Sequence, residues 1–284
     1  MKYLAITIGA IGMSASLTVS ANDHGAAVAD SVIDQQNQTL LENTAGQGFG
    51  PQSPRDLSNH HGDNQRIFSM APAHDEMNLC NIHFHASAEH KGGQFTSYAG
   101  NGDGHGNHTG FVYDGELASA LLAPVSGQIC PANNASLQPG DTIEVHYVFS
   151  SAQIAPGPTL GACLNDNTMN TQLRVEGQVF VLVNDRSALD FSELAAIGER
   201  NGYHQALNIP TNTGSPIQYA GSTTGPAYNE NGSPLLVSWS VRPEVAFVDI
   251  ETVGDWCNDN VFAESAAHGV RNLVTAPALL SPIE

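Results

Sequence analysis

Two stretches of this 284-residue chain alternate apolar side chains with imidazoles: Cys80-Asn81-Ile82-His83-Phe84-His85-Ala86 and Thr142-Ile143-Glu144-Val145-His146-Tyr147-Val148-Phe149. In a β-strand, successive side chains leave on opposite faces. A strand over 80–86 therefore sends His83 and His85 to one face and Phe84 to the other. A strand over 142–149 makes one apolar face from Ile143, Val145, Tyr147 and Phe149, and sets Glu144, His146 and Val148 on the other. Ionisable and imidazole groups inside apolar strands are costly unless they are paired or bound. A site shared by the two strands relieves that cost. The pattern therefore asks for a sheet that brings these two segments together.

The rest of the chain agrees with a sheet. Candidate strands lie at 173–183, 235–242 and 245–251, separated by turn-rich loops. The stretches 92–110 and 211–233 are rich in Gly, Asn and other turn formers. Helical signal is confined to 22–42, where Val28, Val32, Ile33, Leu40 and Leu41 suggest an apolar stripe, and to 187–200. No internal repeat or linker stands out. The expected fold is mainly β (α+β), a single domain on a large twisted, mostly antiparallel sheet. Hydrophobic residues make up 41% of the chain, enough for a sizeable core.

Lys and Arg number 9 against 28 acidic residues, a net charge of −19. That balance argues against nucleic acid and an anionic membrane surface as partners. Met1-Lys2-Tyr3, an apolar run from Leu4 to Val19 and the exit Val19-Ser20-Ala21 read as a secretory signal peptide. The expected organisation is a signal peptide over 1–21, an N-terminal arm over 22–48 and a main domain over 49–284, in a periplasmic or secreted protein. No later segment is apolar enough to span a bilayer. Four cysteines, Cys80, Cys130, Cys163 and Cys257, then favour two disulfides, with three pairings open.

His83 and His85, side by side on a rigid strand, suit one metal ion, and imidazole nitrogen suits zinc. His146 is the expected third ligand. His90 is the rival, nearer in sequence but beyond a turn. Asn81 lies two residues before His83 and shares its face, so it is placed to hydrogen-bond that ring. Glu144 is placed to orient His146 or His90. Such outer partners fix an imidazole's tautomer and tune its metal.

Several stretches resemble carbonic anhydrases. A phenylalanine between two histidines followed by a Glu-x-His strand (Glu144-Val145-His146) is similar to the α class. So are Gln52-Ser53-Pro54-Arg55-Asp56-Leu57, Tyr219-Ala220-Gly221-Ser222-Thr223-Thr224-Gly225-Pro226 and Val237-Ser238-Trp239-Ser240-Val241, in the α-class order. The compact His83-Phe84-His85-x-x-x-Glu89-His90 followed by Lys91-Gly92-Gly93 looks more like the δ class. The resemblance implies reversible hydration of carbon dioxide to bicarbonate by a zinc hydroxide held by His83, His85 and His146. In that enzyme type zinc brings the pKa of its water to about 7. It further implies that Thr223 or Thr224 orients the nucleophile, that Glu89 accepts the threonine proton, and that Val148, Val237 and Trp239 form an apolar substrate wall. His60, His61, His74, His105 and His108 are candidates for carrying the released proton, with none preferred.

Two rivals remain at this level. His83-x-His85-x₃-Glu89 also matches the first motif of cupin metalloenzymes, with Glu89 as a ligand. A non-catalytic periplasmic zinc-binding protein would need the same histidines without turnover.

Overall fold

The computed structural model describes residues 26–66, 68–132, 135–164, 171–223 and 226–284. Twelve strands occur among them: β1 (Asn78–Ala86), β2 (Ser97–Tyr98), β3 (Phe111–Val112), β4 (Ile129–Ala132), β5 (Ala135–Leu137), β6 (Thr142–Ser150), β7 (Leu173–Val183), β8 (Ile197–Arg200), β9 (Tyr203–Ala206), β10 (Ile217–Ser222), β11 (Leu236–Val241) and β12 (Ala246–Asp249). Three α-helices accompany them: α1 (Asp30–Thr44), α2 (Phe191–Leu194) and α3 (Ile250–Asn258). No described helix is long and apolar enough to cross a membrane.

The main sheet runs β1-β6-β7-β11-β10, and β12 also pairs with β7. β1 with β6, β6 with β7 and β10 with β11 are antiparallel, whereas β11 and β12 run parallel to β7 along one edge. The fold is thus mainly β, on a mixed sheet with antiparallel pairs in the majority.

Alternation along β1 and β6 separates two layers. Ile82, Phe84, Ile143, Val145, Tyr147 and Phe149 pack on one face with Phe191 and Trp256. Val148, Val175, Val179, Val237 and Trp239 pack on the other. Phe84 is fully buried, its ring centroid 6.0 Å from those of both Phe191 and Trp256. Slipping β1 by one residue would exchange Phe84 for an imidazole in this layer, so the apolar face fixes the register that aims the histidines.

Four local findings refine the sequence reading. First, a register shift between Leu79 and Asn81 makes Cys80 a bulge. A regular strand would put Cys80 opposite the histidine face; the extra residue returns it to that side, and it packs with Val148. Second, the cysteines pair as Cys80–Cys163 and Cys130–Cys257. Third, helix in 187–200 shrinks to α2, capped by Asp190, whose carboxylate accepts from Ser192 and Glu193 N–H. The remainder is a β8–β9 hairpin, because Asn201 and Gly202 turn at φ 56° and 83°. Fourth, α1 faces the domain with Gln36, Leu40 and Thr44, and Val32 of the expected stripe is exposed. Gln36 is drawn in because its amide donates to the Gly104 carbonyl and accepts from Asn272.

Candidate metal centre

Antiparallel pairing sets His83 directly opposite His146, and His85 opposite Glu144. The three imidazoles therefore leave one face of two neighbouring strands. Ring centroids lie 5.0 Å apart for His83 and His146, 4.7 Å for His85 and His146, and 5.3 Å for His83 and His85. One nitrogen from each lies within 4.8 Å of the other two.

Each ring has its remaining nitrogen committed to a partner that only accepts. His83 Nδ1 donates to Asn81 Oδ1 at 2.7 Å. His85 Nδ1 donates to the Gly269 carbonyl at 2.8 Å. His146 Nε2 donates to Glu144 Oε1 at 3.0 Å. A neutral imidazole carries one N–H. The protons are thus spent outward, leaving lone pairs on His83 Nε2, His85 Nε2 and His146 Nδ1. The first and last of these are 3.2 Å apart, and His85 Nε2 is buried without a hydrogen-bond partner. Converging lone pairs repel unless a cation lies among them. Nitrogens held tetrahedrally at roughly 2.0–2.1 Å from zinc sit about 3.3 Å apart. The donor set fits such an ion.

Electrostatics keep the rings available. Burial pushes the His83 pKa well below the usual imidazole value, and the neighbouring His146, His85 and His268 add to the effect. Burial lowers His85 to about 4 despite the nearby Glu89. Burial opposes ionisation of Glu144, but His90 and His146 outweigh it and hold the carboxyl well below its ordinary range.

Glu144 is the hub of the surroundings. Its Oε2 accepts the backbone N–H groups of Glu89 and His90, at 2.7 and 3.0 Å. Its Oε1 accepts from both His90 and His146, so it orients the two together. His90 is fully engaged, with Nδ1 on Glu144 and Nε2 2.6 Å from the Tyr219 hydroxyl, which also reaches Ser53. His90, Glu144 and His146 form a second group with ligand-like spacing, but hydrogen bonds already bind it together.

Glu89 is buried beside His85, its Oε1 3.7 Å from His85 Nδ1 and accepting the Arg271 N–H at 3.0 Å. The Thr223 hydroxyl lies 3.3 Å from Ser233 Oγ; Thr224 falls outside the described residues. Val148, Val237 and Trp239 are buried in one cluster, with the Trp239 ring 4.9 Å from that of His146.

Of the five relay candidates, His74 packs against Phe149 on the opposite face. His108 lines a cleft of about 1130 Å³ together with His268, Gly269, Ser87 and Tyr113. His268 escaped the sequence reading. Its ring lies 5.4 and 5.7 Å from those of His83 and His85, and Glu264 raises its pKa by hydrogen bonding. Arg271 was also missed: its guanidinium holds the Ser53 carbonyl at 2.7 Å while its N–H holds Glu89. Both belong to an irregular C-terminal segment with no periodicity to mark them.

A protein-family model described as delta carbonic anhydrase matches residues 74–252. No curated protein matches the chain significantly. Among solved structures, eleven chains match, all three described here being distant likenesses. An α-carbonic anhydrase from Thermovibrio ammonificans, in complex with the inhibitor sulfanilamide, is 15% identical, covering 80% of this chain and 84% of its own, with a TM-score of 0.28. A hyperthermostable carbonic anhydrase from a hydrothermal vent chimney is 14% identical over 80% and 85%, with the same TM-score. The Photobacterium profundum α-carbonic anhydrase is 15% identical over 81% and 88%, again at 0.28. At that TM-score these likenesses carry no argument; the family match over most of the chain does.

Proposed function

The chain belongs to the delta carbonic anhydrase family, and we propose that it hydrates carbon dioxide reversibly at a zinc ion held by His83, His85 and His146. The observation that carries this reading is the convergence of three ring nitrogens, the other nitrogen of each ring facing an accepting oxygen. Bound there, zinc supplies the acidity that makes a hydroxide nucleophile available near neutral pH.

The chain's own residues do the rest. Asn81, Gly269 and Glu144 hold the three imidazoles in the ligating tautomer. Val148, Val237 and Trp239 give an apolar wall that suits an apolar gas and excludes competing water. Glu89, fixed by Arg271, is the acceptor for a threonine hydroxyl that aims the nucleophile. The Thr223 hydroxyl is turned to Ser233, so we assign that task to Thr224. His90 belongs to the support of Glu144. Residues 49–284 form the catalytic unit, with 22–48 as an arm. The two disulfides and the N-terminal signal-like sequence support a periplasmic or secreted location.

Stopped-flow hydration of carbon dioxide tests the reading. Activity should vanish on chelation and return with Zn²⁺. Stoichiometric zinc binding without turnover would instead make the protein a carrier.

A further inference from the structure

Cys80 is the bulged residue of β1 and has no pairing partner in β6. Its carbonyl accepts the Gly157 N–H at 3.0 Å, and its sulfur bonds to Cys163 with both residues fully buried. The segment leaving β6 is thereby fastened back onto β1 at two points. The Gly157 carbonyl then accepts from Asn81 Nδ2 at 3.2 Å.

An amide has two unlike ends. With its NH₂ spent on Gly157, Asn81 presents Oδ1 to His83 Nδ1 at 2.7 Å, and His83 must carry its proton there. A flipped amide would present NH₂ instead. His83 would then carry its proton on Nε2, the atom facing His146. These are the two hydrogen bonds of the Asn81 side chain among the described residues, so the Gly157 carbonyl decides between the orientations.

We propose that the Cys80–Cys163 disulfide selects the metal-competent tautomer of His83 by holding the Gly157 carbonyl where it fixes the Asn81 amide. Asn81 and Gly157 are positioning groups, and the inference rests on the reading of His83 as a ligand. The second disulfide supplies an internal control: Cys130–Cys257 links β4 to α3, in the layer opposite the histidines.

The test is zinc affinity by competition with a chromophoric chelator, alongside the visible spectrum of the cobalt-substituted protein and circular dichroism to confirm folding. The Cys80→Ala/Cys163→Ala pair should bind zinc about 10- to 100-fold more weakly, the usual effect of losing an outer partner. The Cys130→Ala/Cys257→Ala pair should stay within about threefold of the parent. Asn81→Asp supplies the discriminating step, because a carboxylate only accepts and has no wrong orientation. Added to the Cys80→Ala/Cys163→Ala protein, where the loop is released, it should restore affinity. In the parent it presses an acceptor onto the fixed Gly157 carbonyl and should weaken zinc binding about tenfold.

This last measurement stands even if the cysteine pair fails to fold. Equal or tighter binding by Asn81→Asp in the parent would overturn the inference, as would a folded Cys80→Ala/Cys163→Ala protein with parental affinity. A parent protein that takes up no zinc would overturn the reading of the site itself, a separate failure.

Discussion

His146 Nδ1 lies 3.2 Å from His83 Nε2, and neither nitrogen carries the proton that a hydrogen bond between them would need. Glu144 claims the proton of one ring and Asn81 that of the other. The site is therefore built against protonation and for a cation. The same logic makes Glu144 the group that orients His90 and His146 together.

Glu144→Gln keeps the shape but turns one accepting end into a donor, facing either two backbone N–H groups or two imidazole N–H groups. The variant should lose about 3–5 kcal/mol of unfolding free energy, the cost of breaking a buried charge network. Zinc affinity should fall about 10- to 100-fold. Urea unfolding and chelator competition measure the two effects; parental stability would show that the carboxylate is not the hub.

Thr223 and Thr224 are adjacent, and the hydroxyl of Thr223 lies 3.3 Å from Ser233 Oγ, within hydrogen-bond reach. Thr223→Val should leave kcat/KM within a few-fold of the parent, whereas Thr224→Val should lower it about 100-fold, the scale expected for removing a group that orients reacting atoms. Stopped-flow hydration distinguishes them. A large loss at 223 with little at 224 would reverse the assignment.

The metal-free protein should be acid-sensitive in a defined window. His85 titrates near 4 when folded and near 6.5 when unfolded. Between those values the unfolded chain binds more protons, so stability rises with pH and is lost on acidification. This one ring contributes about 3 kcal/mol between pH 6.5 and pH 4. His83 acts in the same direction, and Glu144, with its lowered pKa, adds to the loss below pH 4.5. Urea titrations of metal-free protein at pH 7.5, 6 and 4.5 should show the decline. Equal stability at all three would mean the rings are not held neutral by burial.

Much of the site could be read from the sequence because alternation is geometric. Parity alone put His83 and His85 together, Phe84 against the core and Glu144 beside His146, and the structure follows it. Parity failed at Cys80, where one inserted residue changes the face and no composition signal marks the bulge. It was also silent on His268 and Arg271. They reach the site through an irregular segment whose backbone is pinned by long-range bonds, such as His268 N–H to the Phe84 carbonyl and Val270 N–H to Gly106. The short β8–β9 hairpin was hidden for a different reason: its turn signal, Asn201-Gly202, lay at the end of a helix-like stretch.

The central claim is the position of the ion. Crystals of protein grown with zinc, measured on both sides of the zinc absorption edge, should give one strong anomalous peak about 2.0–2.1 Å from His83 Nε2, His85 Nε2 and His146 Nδ1. A peak among His90, Glu144 and His146, or none at the three histidines in zinc-loaded protein, would contradict the account.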